Sequence, residues 1–106
     1  MVDVAIRITV PLIKRKEVFQ TFTSILSQIR REKGCLSCNC YVDMEAENKI
    51  YFKEEWQTSD DLNSHLRSVH FGVLIGAMKM LDQEPEIRFN TISSTAGAEV
   101  VKAVRA

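Results

Sequence analysis

The sequence predicts an α+β fold, a ferredoxin-like β-α-β-β-α-β arrangement in which an antiparallel sheet carries its helices on one face. Three observations carry this prediction: strict apolar alternation over residues 4–10, a helical repeat over about 14–33, and a polar loop joining two further alternating segments at 36–43 and 50–57. A chain of 106 residues suits a single domain with one core. The core is expected over about residues 3–95, with 96–106 as a C-terminal extension.

The elements follow in order. Val4, Ile6, Ile8 and Val10 alternate with Ala5, Arg7 and Thr9, the period of a strand with one buried face, and Pro11 ends it. Val18, Phe22, Ile25 and Ile29, widened by Phe19 and Leu26, then repeat at three and four residues, predicting one amphipathic helix that stops at Gly34. Over 36–43, Leu36, Cys38, Cys40 and Val42 oppose Ser37, Asn39, Tyr41 and Asp43. After the polar loop 44–49 the chain returns with Ile50, Phe52, Glu54 and Trp56 alternating against Tyr51, Lys53, Glu55 and Gln57. Large aromatic groups fall on both faces of this strand, so neither face is expected to lie fully in water. A homodimer with sheet facing sheet is the expected remedy.

Ser59 is read as an N-cap, with Asp60 and Asp61 in the first turn where the helix dipole favours negative charge. A second helical segment carries Phe71, Leu74, Ile75, Met78 and Leu81 on one face and ends before Pro85, with a kink expected near Val69 and His70. Residues 86–94 form a fourth strand. The tail after Gly97, with Val100, Val101 and Val104, is expected to add a further strand at a sheet edge, in the same subunit or in a partner.

Composition narrows the function. Lysine plus arginine and aspartate plus glutamate number 14 each, which gives no basic surface for nucleic acid or an anionic membrane. The N-terminal run lacks the pattern of a secretory signal, and no stretch approaches the ~20 apolar residues of a membrane span. A cytoplasmic location with three reduced cysteines is the expectation. Cys35-x-x-Cys38 has no second pair to complete a zinc site, and Cys38 and Cys40 share a strand face as small buried hydrophobes, so no metal is expected. Asp43, Glu45, Glu47 and the Glu54-Glu55 pair read as a solvated acidic face.

The chemically richest stretch is 54–80. It holds the only tryptophan, Trp56, and both histidines, His65 and His70, with Phe71 directly after the second. Five residues of ideal helix separate the histidines by roughly 140°, so the two need not share a face.

The run Gly34-Cys35-Leu36-Ser37 through Tyr41 and Asp43, then Glu54-Glu55-Trp56, then His65-Leu66 through His70-Phe71, resembles the antibiotic biosynthesis monooxygenase family of the dimeric α+β barrel superfamily. The likeness extends over about residues 3–95. It implies the sheet-to-sheet homodimer, a pocket between the sheet and helices of each subunit, and oxygenation of a small aromatic, phenol-like or hydroquinone-like substrate by O2 without metal or other cofactor. On the matching positions, Trp56 becomes a pocket wall. His70, with His65 as the alternative, becomes the acid-base group, suited to proton transfer near neutrality. Phe71, Phe52 and Leu74 become apolar lining, and Asn39 and Tyr41 polar contacts. The haem-degrading relatives require an asparagine and a histidine where this chain has Ile6 and Ile75, so haem cleavage is not expected. Two other readings remain open at this level: an isomerase or lyase moving a proton beside a carbonyl, and a non-catalytic barrel that binds a small ligand.

Overall fold

The computed structural model describes residues 1–106. Four strands, β1 (Val2–Thr9), β2 (Cys35–Val42), β3 (Lys49–Trp56) and β4 (Glu86–Thr91), form one antiparallel sheet in the order β2-β3-β1-β4. Helices α1 (Arg15–Ile29), α2 (Ser59–Leu66) and α3 (Val69–Lys79) contribute the other half of the core, and α4 (Glu99–Arg105) follows the last strand. This is the ferredoxin-like α+β fold predicted.

Register explains the core. Val4 opposes Glu54 and Phe89, and Ile6 opposes Phe52 and Ile87, so the alternating residues of three strands point together toward the helices. Val18, Phe22, Ile25 and Ile29 of α1 meet them, with Phe22 set edge-on to Phe52 at 5.7 Å between ring centroids. The opposite face of the sheet carries Arg7, Lys53, Glu55 and Arg88 alongside Tyr41 and Tyr51, with the Arg7 guanidinium 5.0 Å from the Tyr51 ring.

The expected helix over 14–33 is shorter. A 3-10 turn over Leu12–Lys14 precedes α1, and after Ile29 the chain winds through successive turns to Gly34, whose φ of 81° closes the helix end as expected. In β2 a bulge between Cys35 and Ser37 brings Cys35 opposite Trp56 and turns Leu36 outward, overturning the expectation that Leu36 shares a face with Cys38. Thr58, not Ser59, caps α2: its hydroxyl accepts from Asp61 N–H at 3.1 Å. The helical stretch breaks at Arg67–Ser68, where Ser68 caps α3 by accepting from Phe71 N–H.

The tail is the main correction. Instead of a fifth strand, residues 99–105 form α4. Alanine, glutamate, lysine and arginine outnumber the three valines in helix-forming weight, Glu99 lies at the positive end, and Lys102 and Arg105 lie at the negative end. The valine content misled because Val100, Val101 and Val104 sit at helical, not alternating, spacing.

Candidate active site

The last turn before β2, the end of β3 and the helix α2 converge on one point. Glu54, in phase with Ile50, Phe52 and Trp56, is carried inward with them and is fully buried. This overturns its reading as part of a solvated face. The alternation already contained the signal, since a charged residue in the apolar phase of a strand is an inward charge that must be paired.

Its partner is His65, itself only 1% exposed. His65 Nε2 lies 3.0 and 3.1 Å from the two oxygens of Glu54, and Nδ1 lies 2.9 Å from Glu32 Oε2. Trp56 Nε1 donates to Glu54 Oε1 at 3.0 Å, and the indole stacks on the imidazole at 4.5 Å and 26°. Phe71 closes the far side of the ring edge-on at 5.3 Å. A neutral imidazole can donate from only one nitrogen, so a carboxylate at each favours the doubly protonated ring. Burial alone would lower the His65 pKa, but hydrogen bonds and charge from Glu54 and then Glu32 outweigh it and raise the pKa above the ordinary imidazole value.

Glu32 also approaches the second histidine. His70 Nδ1 is 3.6 Å from the same Oε2, beyond hydrogen-bonding distance, and its side chain is partly open to solvent. The order Glu54, His65, Glu32, His70 therefore runs from the interior to the surface. His65 and His70 share one carboxylate without sharing a face, as their spacing allowed.

The other candidates divide. Trp56, His65, Phe71 and, one turn later, Leu74 share the interior. Phe52 belongs to the same face but packs at the α1 end, against Phe22. Asn39 and Tyr41 pair with Lys53 and Tyr51, out of phase with Glu54 and Trp56, so they fall on the other side of the sheet and do not join the cluster. Asn39 instead accepts from Arg30. Cys38 and Cys40 lie on the interior face, where burial pushes the Cys40 thiol up to about 11 and Cys38 higher still; both are held as thiols.

Beside this array, between α2 and β4, lies a hollow of about 320 Å³ lined by Val2, Leu62, Leu66 and Phe89, with Ser59, Asn63 and Asn90 at its polar edge. Val2 is the register partner of Trp56, and Leu62 and Leu66 flank His65 on α2. The hollow thus borders the residues next to His65 and Trp56 without including either.

The sequence model of the family described as antibiotic biosynthesis monooxygenase matches residues 1–76. The chain belongs to that family. Solved structures agree on the fold. A conserved protein from Methanosarcina mazei is 27% identical, with 84% of this chain and 89% of that one covered at a TM-score of 0.79. Rv0793 from Mycobacterium tuberculosis is 18% identical, covering 91% and 98% with a TM-score of 0.81. A structure described as an antibiotic biosynthesis monooxygenase is 20% identical, covering 89% and 100% with a TM-score of 0.79. No curated protein matches the chain significantly. No helix is long and apolar enough to cross a membrane.

Proposed function

We propose that this family member is a cofactor-independent monooxygenase acting on a small phenol-like or hydroquinone-like compound. The observation that carries the reading is the buried His65 ring, clamped by two carboxylates and stacked on Trp56, on the helix whose Leu62 and Leu66 line a neighbouring, partly apolar hollow. A phenol bound there ionises more easily beside a cation in a low-dielectric interior, and a carboxylate of the array accepts its proton. Glu32, partly exposed beside His70, offers that proton a route to solvent. The electron-rich anion then supplies all four electrons that O2 takes up: a substrate RH2 becomes RO, its two hydrogens leave with the second oxygen atom as water, and no other reductant is needed. The apolar walls keep water from the intermediate. The exposed Tyr41 on the open sheet face supports the sheet-to-sheet homodimer that goes with this reading.

The complete burial of Trp56 and His65 favours a second reading, a non-catalytic ligand-binding barrel in which the array fastens α2 to the sheet. Oxygen uptake by metal-free protein with a panel of hydroquinones separates the two. Uptake that falls at least tenfold in His65→Gln supports oxygenation; a panel with no uptake supports the binding role.

A further inference from the structure

Helix α4 is left without a partner by its own subunit. Val100, Val101 and Val104 fall within roughly 100° of arc on one side of the helix, and they are 48%, 58% and 78% exposed. Seven residues of isolated helix are marginal in water. The valine stripe therefore calls for a surface to cover it.

Such a surface exists on the same molecule. Between α3 and β4 runs a groove of about 480 Å³, floored by Ile75, Met78, Leu81 and Ile87 and rimmed by Lys79, Asp82 and Glu84. Ile87 and its strand neighbour Phe89 point to the helix side of the sheet, yet remain 40% and 55% exposed. No residue of α4 lines the groove.

We propose that α4 of one copy docks in the α3–β4 groove of a second copy. Charge favours the match, since Lys102 and Arg105 of the helix would face a rim on which Asp82 and Glu84 outnumber Lys79. Symmetry favours it too. Each chain offers one uncovered helix and one uncovered groove, so a two-fold pair satisfies both and leaves neither over. The connecting residues 92–98, Ile-Ser-Ser-Thr-Ala-Gly-Ala, are small and span up to about 25 Å when extended, enough for an arm to cross to a neighbour. The contact is independent of any meeting between the open sheet faces and of the catalytic reading. It would place a partner's helix beside Phe89, the residue that also walls the hollow next to His65.

The test uses full-length chains. Ile87→Cys protein is mixed with Val104→Cys protein and mildly oxidised; the unsubstituted protein, which carries the native Cys35, Cys38 and Cys40, is oxidised alongside as the control. The expected product is a disulfide-linked pair containing one chain of each kind. No such pair, or a link formed only within a single chain carrying both substitutions, overturns the proposal and returns the helix to its own groove or to solvent. In a second arm, Asp82→Lys with Glu84→Lys lowers the yield of the mixed pair at least fivefold, and adding Lys102→Glu with Arg105→Glu to the helix donor restores it. A yield indifferent to both reversals contradicts the charge match and overturns the proposal.

Discussion

At the scale of single residues, the chain places a buried imidazole between two carboxylates where an ordinary core would place apolar groups. Removing one member of such an array strands the others. His65→Leu leaves the buried Glu54 with only the Trp56 indole N–H as partner, and the expected cost is about 3 kcal/mol, read from urea unfolding. Glu32→Gln keeps the shape and affects a partner nearer solvent, so about 1 kcal/mol is expected in the same measurement. The array also gives stability a pH dependence with a definite sign. Because the folded His65 pKa is raised, its contribution is fully present below the unfolded imidazole value, near 6.5, and is lost as pH rises through the folded value. The urea midpoint of the wild type should fall across that window. In His65→Gln the fall should flatten, and a midpoint that declines equally in both would contradict the charged assignment.

Legibility at this scale was uneven. Trp56, His65 and Phe71 stand out in the sequence because they are rare or adjacent, and the structure gathers them. Glu54 was visible in the phase of its strand but reads as solvent-facing if its neighbour Glu55 is taken with it. Glu32 carries no local signal, because its role arises only when the turn after α1 meets α2 in space. Asn39 and Tyr41 are sequence neighbours of the interior Cys38 and Cys40, and a period of two sends them to the other face.

At the scale of elements, periodicity located every strand and helix of residues 1–91, and the local exceptions have local causes. The β2 bulge reorients Leu36, and hydroxyl caps on Thr58 and Ser68 set the starts of α2 and α3. The α2–α3 break is therefore a capped joint, not a bend in one helix. Ser68→Ala should cost about 1 kcal/mol by loss of the cap. Gly34 offers a sharper case. With φ at 81°, any Cβ there would press on the side chain of Asp61, so Gly34→Ala should destabilise by more than about 1 kcal/mol in thermal or urea unfolding. The tail eluded the strand prediction because β-branched content was weighed above spacing, and spacing decides.

At the scale of the whole molecule, one half of the sheet is sealed by α1 and one edge, β4, is left partly bare. The array sits between these regimes, closed on the side of Trp56 and Phe71 and neighboured by the hollow on the side of β4. For the oxygenation proposed above, that asymmetry would supply a dry interior beside an opening to solvent. The most direct measurement is oxygen consumption by metal-free protein supplied with hydroquinones, compared between the wild type and a folded double variant, His65→Gln with His70→Gln. The account predicts consumption in the wild type matched by substrate oxidation, and a loss of at least tenfold in the variant. No consumption in the wild type, or equal consumption in both proteins, would contradict it.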